Sequence, residues 1–163
     1  MNFSIRHADK EQLKELFPEL FEILYSNMAT AYPTGDTKEE DYRIWSEYFP
    51  ESLEDPTRKL VLISVEQSLA GYFQYRTTED LFMMEEIQVK QAYHGSGVFR
   101  ALYCWLVHQL PQNLKTVEAY TNKKNFNTQG ILEHLGLEIC GENKNGKSYH
   151  YRGDYQNLLK KYL

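Results

Sequence analysis

The segment that decides the fold lies between residues 87 and 102 and reads Ile87-Gln88-Val89-Lys90-Gln91-Ala92-Tyr93-His94-Gly95-Ser96-Gly97-Val98-Phe99-Arg100-Ala101-Leu102. Its first residues alternate as in a strand, and its last residues have the apolar spacing of an amphipathic helix. Gly95 and Gly97 allow a tight turn between them, because glycine adopts backbone conformations that a Cβ atom disfavours. We predict that the N–H groups of residues 94–99 form a cradle for an anionic ligand at the helix start. A purely structural turn is the alternative at this point.

The whole chain has the composition of one compact domain. It has 163 residues, of which 42% are hydrophobic and 25% are charged, and such values argue against intrinsic disorder. The longest apolar run, residues 101–107, is too short to span a membrane, which takes about 20 residues. The first residues lack the features of a signal peptide, so we expect a cytoplasmic protein.

Cys104 and Cys140 are widely spaced in apolar stretches, and we expect both to be reduced, buried thiols.

Charge is distributed unevenly along the chain. Residues 1–90 hold 9 basic and 18 acidic residues, whereas residues 91–163 hold 9 basic and 5 acidic residues, for net charges of −9 and +4. The overall charge of −5 argues against nucleic acid as a partner. Eight of the acidic residues fall within residues 36–55. They indicate either a solvated helix face or the surroundings of a cationic ligand, with an anionic ligand over the basic half.

Apolar periodicity predicts the element order βααβββαβαββα. The chain begins with an edge strand and a helix from Asp9 that is kinked or divided at Pro18. A second helix follows the capping-box spacing of Thr37 and Glu40. We then expect a hairpin with its turn at residues 66–69, a strand at 81–90, helices closed by Pro111 and Gly136, a type I′ hairpin at Asn145-Gly146 and a final helix.

Three other motifs are rejected because of their context. Residues 141–148 fit the P-loop pattern GxxxxGKS, but a P-loop opens a helix, and the residues that follow alternate as in a strand. The run His94-Gly95-Ser96-Gly97 lacks the outer glycines of a GxSxG nucleophile elbow. The five histidines show no HExxH spacing, so we expect no metal site.

The glycine-bearing segment resembles the GNAT family of acyl-CoA-dependent N-acetyltransferases. Their signature, Gln/Arg-x-x-Gly-x-Gly/Ala at a helix start, has the common form Y-R-G-K-G-I-G-R-A-L, which residues 93–102 parallel. His94 stands where Arg or Gln is usual, and Phe99 where Gly or Ala is usual. A second family marker, an Asn opening the next helix and a Tyr/Phe-Glu-x-Leu-Gly-Phe end, is similar to Asn125 and to Leu132-Glu133-His134-Leu135-Gly136-Leu137.

The resemblance implies an α/β (α+β) fold with a mixed, mostly antiparallel sheet of about seven strands, flanked by helices and splayed between strands 4 and 5. It also implies a single acyl-CoA N-acyltransferase domain over residues 1–163, with acetyl-CoA as acyl donor and no metal. Pantetheine would pair with the backbone near Ile87 and Val89, and Asn125 would lie near the pantetheine arm. The pyrophosphate would lie on the helix start, formed by His94, Gly95, Ser96, Gly97, Val98, Phe99 and Arg100.

Two neighbouring carboxylates are the candidates for taking a proton from an amine acceptor. An alkylamine has a pKa of about 10.4, so only about one molecule in a few thousand is unprotonated at pH 7. Strand alternation places Glu85 with Ile87 and Val89 on one face and Glu86 on the other. Glu85 resembles the strand-four Glu of polyamine-type acetyltransferases, and we predict it as the general base. Glu86 is predicted to bind substrate; a structural carboxylate pair at the sheet edge is the alternative.

The leaving thiolate also needs a proton, and many family members use the Tyr of the second marker. This chain has Leu132 there, so the usual acid is missing. We predict Tyr120 as the catalytic replacement, with Tyr149 and Tyr151 as further candidates. A backbone N–H near Val89 could stabilise the oxyanion.

The resemblance implies that the acidic helix over residues 37–49 covers the acceptor site. Tyr42 and Trp45, with Tyr48 and Phe49, are candidates for lining the pocket, although their helical spacing favours core packing.

The sequence therefore predicts an N-acetyltransferase that moves acetyl from acetyl-CoA to a primary amine of a small cationic metabolite, by direct attack in a ternary complex. A small-molecule amine is the expected partner, no nucleic acid or membrane partner is expected, and a homodimer is left open. The alternative is a catalytically degenerate acyl-CoA sensor of the same fold, suggested by Leu132, His94 and Phe99. A nucleotide-binding protein with a P-loop is a third hypothesis.

Overall fold

The computed structural model describes residues 1–29 and 31–163, and its elements follow the predicted order. The helices are α1 (Leu13–Met28), α2 (Lys38–Ser52), α3 (Val98–Gln109), α4 (Phe126–His134) and α5 (Tyr155–Tyr162), and a short 3-10 turn (Gln91–Tyr93) precedes α3. The strands are β1 (Phe3–His7), β2 (Arg58–Val65), β3 (Ser68–Thr78), β4 (Leu81–Val89), β5 (Thr116–Asn122), β6 (Glu138–Glu142) and β7 (Ser148–Asp154).

The seven strands form one sheet in the order β1-β2-β3-β4-β5-β7-β6. The β1–β2, β5–β7 and β6–β7 pairs are antiparallel, whereas β4 and β5 are parallel. The parallel pairing runs from Leu81 opposite Thr116 to Met84 opposite Ala119 and ends there, although β4 continues to Val89 and β5 to Asn122. The predicted fold class, a mixed and mostly antiparallel sheet with strands 4 and 5 diverging, is confirmed.

The chain forms two compact units, and β3 and β4 contribute to both. The first unit comprises residues 1–74 and 86–101, and the second comprises residues 75–85 and 102–163. The prediction of a single domain stays a prediction. Each unit has its own buried core, and each large apolar side chain that is fully buried contributes about 1.5–3 kcal/mol. The first core contains Leu13, Phe17, Leu20, Ile23, Phe49, Leu53, Leu60, Leu62, Leu69 and Tyr72; the second contains Phe82, Leu102, Leu106, Leu114, Val117, Tyr151, Tyr155 and Leu158.

Helix α1 is continuous through Pro18, so the expected division into two helices is wrong, whereas the alternative, a kink, stays a prediction. Proline removes one backbone donor, and at this position the lost bond would have gone to Lys14 in the first turn. The rest of the helix is held by burial of Leu20 and Ile23, which are 0% and 3% exposed. Helix α2 has the predicted cap: the Thr37 hydroxyl accepts a hydrogen bond from the Glu40 N–H at 3.1 Å.

Two hairpin turns differ from the predictions. The β2–β3 turn consists of Glu66 and Gln67 alone, with φ of 50° and 72°, so it is shorter than the predicted turn at 66–69. The β6–β7 loop spans residues 143–147, and in it only Gly146 has a positive φ, 71°. The Gly146 N–H donates to the Asn143 carbonyl at 3.1 Å. The hairpin exists, but it is not the predicted type I′ turn, which needs positive φ at two successive residues.

The rejected P-loop pattern is confirmed as such by the structure, whereas the predicted burial of the cysteines is not. The P-loop pattern at 141–148 lies on the β6–β7 hairpin and opens no helix, so its rejection is confirmed. Both cysteines are free, but Cys104 is half-buried and Cys140 is exposed, so their predicted burial is wrong. Within the described residues, no helix has the length and apolar character needed to cross a membrane.

Candidate active site

The segment after β4 forms the predicted turn and helix start. Gly95 and Gly97 have φ of 75° and 88°, and a Cβ added to either would meet no atom within 4 Å. The first helical hydrogen bond of α3 runs from the Ala101 N–H to the Gly97 carbonyl at 3.0 Å. The N–H groups of residues 97–100 therefore precede the helical ladder and lack partners within the helix. Four donors and the positive end of the helix dipole thus lie beside two glycines that face open space.

Two of the predicted cradle donors are used inside the turn. The His94 N–H donates to the Gln91 carbonyl at 3.1 Å, and the Ser96 N–H donates to the Tyr93 carbonyl at 3.2 Å. Val98 is 1% exposed, so only its backbone can serve a ligand. The N–H groups of Gly97, Val98, Phe99 and Arg100 thus precede the helical ladder, and their binding of an anion stays a prediction.

The end of β4 is tied to α1 and to the turn. Asn27 Nδ2 donates to Gln88 Oε1 and to the Val89 carbonyl, each at 3.0 Å. His94 Nε2 lies 3.0 Å from the same Val89 carbonyl and donates to it. Two donors fill the two lone pairs of a carbonyl oxygen. A pantetheine amide could therefore not donate to the Val89 carbonyl without displacing Asn27 or His94, and pairing near Ile87 and Val89 stays a prediction.

Glu86 is held by side chains of the first unit. Its Oε1 accepts hydrogen bonds from the Tyr72 hydroxyl at 3.0 Å and from Gln88 Nε2 at 3.4 Å. Tyr72 is fully buried, and burial, followed by the charge of Glu86, raises the pKa of its hydroxyl well above the usual value. Tyr72 is therefore a protonated donor at neutral pH. Glu86 is a half-buried carboxylate with a fixed orientation.

Near Glu86, the side chains of β3 and β4 do not alternate regularly between the two faces of the sheet. Phe82 packs against Tyr75 with ring centroids 5.6 Å apart, whereas Glu86 bonds to Tyr72. Tyr72 and Tyr75 lie on opposite faces of β3, because they are three residues apart. Phe82 and Glu86 are four residues apart and would share a face in a regular strand. The two contacts do not fit two regular strands, so an irregularity lies in β3 between Tyr72 and Tyr75 or in β4 between Phe82 and Glu86, and alternation alone does not determine which way Glu85 points.

The second unit contains Tyr120 and Asn125. Tyr120 is 47% exposed, and its ring stacks on that of His150 at 4.3 Å. His150 Nε2 in turn bonds to Glu118 Oε1. Asn125 caps α4, because its Oδ1 accepts a hydrogen bond from the Thr128 N–H at 3.1 Å. Asn125 thus opens a helix as predicted, and its role near a pantetheine arm stays a prediction.

The second unit also contains Tyr149 and Tyr151, the other candidates for a general acid. Leu132, at the sequence position where a Tyr is usual in the resembled family, is buried in α4 at 4% exposure. Lys123 Nζ lies 5.1 Å from the ring centroid of Tyr149. Tyr151 is fully buried, and its hydroxyl has no hydrogen-bond partner among the described residues. Burial, followed by the charge of Glu133, raises the pKa of Tyr151. A buried hydroxyl without a partner costs about 1–3 kcal/mol, which distinguishes Tyr151 from the other two tyrosines.

A cavity of about 610 Å³ lies in the first unit, between the end of α1, the loop that follows and α2. The predicted pocket residue Trp45 lines it. Tyr42 instead packs against Phe21 and Trp45, with ring centroids 5.1 and 6.3 Å away, and is not among the lining residues. Sequence reasoning missed most of the lining, although aromatic residues at a helix end before an acidic loop gave a signal. The missed residues include Tyr25 and Tyr32, whereas Asp36 and Asp41 belong to the acidic segment predicted to surround a cationic ligand. Of the other two candidates on α2, Tyr48 lines the cavity and Phe49 is buried at 2% exposure.

No family model and no curated protein matches this sequence, but solved structures match its fold. The PaiA N-acetyltransferase of Thermoplasma acidophilum, in complex with coenzyme A, is 15% identical with a TM-score of 0.74, and 95% of this chain and 100% of that chain are covered. A putative acetyltransferase of the GNAT family from Desulfovibrio desulfuricans is 23% identical with a TM-score of 0.69 over 94% and 99% of the two chains. The spermidine/spermine N-acetyltransferase SpeG of Vibrio cholerae is 11% identical with a TM-score of 0.61 over 99% and 100%.

The chain therefore has the fold of the GNAT N-acetyltransferases. Among the described residues, no group of three or more His, Cys, Asp or Glu side chains could hold a metal ion.

Proposed function

We propose that this protein is an N-acetyltransferase that moves an acetyl group from acetyl-CoA to a primary amine of a small cationic molecule. The observation that carries the proposal is the start of α3, where four backbone donors outside the helical ladder lie beside Gly95 and Gly97, two glycines that face open space. The fold supports it, because PaiA of this fold has a structure in complex with coenzyme A, and SpeG is a spermidine/spermine N-acetyltransferase.

The residues present fit a diphosphate at the start of α3. A helix dipole contributes about 0.3–1 kcal/mol per favourable charge, so a diphosphate needs several N–H bonds as well. The backbone of Gly97, Val98, Phe99 and Arg100 supplies them, and the exposed Arg100 side chain adds a positive charge. Acetyl-CoA would supply an acetyl group activated as a thioester.

Two neighbouring carboxylates on β4 would act on the incoming ammonium, one by removing its proton and one by holding it. Glu85 is our candidate for the general base, directly or through a water molecule. Glu86 is oriented by Tyr72 and Gln88, and we assign it to holding the acceptor's ammonium. A preorganised carboxylate binds a cation without the cost of ordering its own side chain.

A tyrosine hydroxyl would supply the proton that the leaving thiolate takes up. Tyr120 is the candidate from the sequence, and its stacking on His150 fixes its ring. Tyr151 is a second candidate, because its buried hydroxyl has no partner among the described residues. Replacing each by Phe separates them, since only loss of the acid lowers kcat while CoA binding stays the same.

The proposal is tested by following CoA release from acetyl-CoA over a panel of amines. We expect Glu85→Gln to lower kcat by about 10²- to 10⁴-fold with unchanged CoA affinity, the usual contribution of a general base. Glu138→Gln, at an exposed position on β6, is the matched control and should match wild type. Equal rates for Glu85→Gln and wild type would remove Glu85 as the base.

The acyl-CoA sensor remains the second candidate function because Leu132 is buried where a catalytic Tyr would stand. Thermal stabilisation by CoA without CoA release on any amine would favour it. Stabilisation by ATP and none by CoA would contradict both candidates.

A further inference from the structure

We propose that the cavity between α1 and α2 binds an amine with one ammonium group and an aromatic or bulky apolar body, in preference to a polyamine. The inference names the acceptor class and so rests on the proposed function, although binding itself can be measured without acetyl transfer. The cavity volume of about 610 Å³ falls within the range of about 300–1,000 Å³ that is usual for small-molecule sites.

The walls of the cavity are mainly apolar and aromatic. Tyr25, Trp45 and Tyr48 contribute rings, and Ile44 contributes a branched aliphatic side chain. Tyr48 and Ile44 are 67% and 47% exposed. Adjacent apolar side chains that are left open to solvent mark surfaces that bind a partner. A ligand with an apolar body would cover both of them.

The charged side chains of the lining are all acidic. Asp36 and Asp41 belong to it, whereas none of the described lining residues is Lys, Arg or His. Asp41 accepts hydrogen bonds from the Thr34 hydroxyl at 2.7 and 2.9 Å, and the Asp36 N–H donates to the same Thr34 oxygen at 3.2 Å. Thr34 therefore orients the Asp41 carboxylate and holds the backbone of Asp36 beside it. A cation is favoured there, and an anion is disfavoured.

The nearby basic side chains are engaged elsewhere. Lys38 Nζ lies 2.7 Å from Glu22 Oε2, and Arg43 forms ion pairs with Glu40 and Glu47. They do not neutralise the carboxylates of the lining.

An aromatic ring of the lining already holds an ammonium group in this structure. Lys38 Nζ lies 5.0 Å from the ring centroid of Tyr25, within the usual distance for a cation–π contact. The occupant of the Tyr25 ring is Lys38, whose charge is paired with Glu22 outside the lining, and the rings of Trp45 and Tyr48 offer the same type of contact to a ligand amine.

A polyamine fits this arrangement poorly. It carries several ammonium groups along its length, and each needs an acceptor when it leaves water. The described lining offers two carboxylates, those of Asp36 and Asp41, and the rest of the wall contains mainly rings and aliphatic groups. A polyamine has no apolar body to cover these rings, whereas an arylalkylamine has one charge and an apolar remainder.

The test is calorimetric binding of four probes to the full chain with saturating CoA: 4-phenylbutylamine, 4-phenylbutanol, 4-phenylbutyrate and spermidine. We expect the amine to bind at least 10-fold more tightly than the other three. Asp41→Asn should weaken binding of the amine at least 5-fold and leave that of the alcohol unchanged. Tyr48→Ala should weaken both, and Glu47→Gln, outside the lining, should change neither.

Acetyl transfer to the same amines separates this inference from the proposed function. Tight binding of the arylalkylamine with no acetylation of any of the amines supports the cavity and contradicts the proposed function. Acetylation of spermidine with a higher kcat/KM than the arylalkylamine overturns the cavity inference and supports the proposed function. Equal affinity of Asp41→Asn and wild type for the amine also overturns it.

Discussion

A single methyl group added at Gly71 in β3 should destabilise the strand that carries the candidate site. A Cβ atom there would lie 2.5 Å from the Gln88 carbonyl oxygen and 3.1 Å from Val89 Cα. Ordinary contact begins near 3.4 Å, so β4 would have to move by about 0.9 Å at Gln88. Both obstructing atoms belong to the backbone, and the Val89 carbonyl is bonded to Asn27 and His94. Movement of β4 therefore strains these bonds as well.

We expect Gly71→Ala to lower the free energy of unfolding by about 2–3 kcal/mol, within the usual cost of overpacking. For a chain of this length the melting temperature should fall by about 5–10 °C. Urea unfolding followed by far-UV circular dichroism measures the change. Gly130→Ala is the matched control, because its Cβ would meet no atom within 4 Å and its position in α4 is exposed. It should stabilise the protein by about 0.5–1 kcal/mol. Equal effects of the two substitutions would refute the packing argument.

Two further predictions concern stability. Thr37→Ala removes the cap of α2 and should lower the free energy of unfolding by about 1 kcal/mol, while Thr37→Ser should retain most of it; a urea midpoint that does not change would show that the cap contributes nothing. Burial raises the pKa of Tyr75 from 10 to about 12. Because its folded-state pKa is the higher one, the stabilisation is complete below pH 10 and is lost between pH 10 and 12, by less than about 1.4 kcal/mol per pH unit. Urea titrations at pH 9 and pH 11 should show a smaller fall for Tyr75→Phe than for wild type, and the same fall in both would contradict the assignment.

The element order was predictable because period and capping are local signals. Apolar spacing located every helix and strand, and the Thr37 cap and the Gly136 stop follow from chemistry within a few residues. The β2–β3 turn was predicted at residues 66–69, but its restriction to Glu66 and Gln67 was not predictable, because neither residue favours a positive φ.

The site was only partly predictable from the sequence. The glycines correctly located the turn before α3, but which N–H groups remain outside hydrogen bonds of the turn depends on its path, which uses those of His94 and Ser96. The partner of Glu86 is a tyrosine on the neighbouring strand, 14 residues earlier in the chain, and no local pattern indicates that pair. The cavity likewise combines residues of α1 and α2 whose helical spacing alone is that of a core.

The central claim is that the backbone at the start of α3 binds the diphosphate of coenzyme A. The most direct measurement is the amide proton chemical shifts of Gly97, Val98, Phe99 and Arg100 during titration with CoA and, separately, with pantetheine, which lacks the diphosphate. We predict that CoA moves these four resonances downfield, as new hydrogen bonds to phosphate form, and that pantetheine leaves them in place. Unchanged resonances at saturating CoA, or equal shifts with pantetheine, would contradict the account.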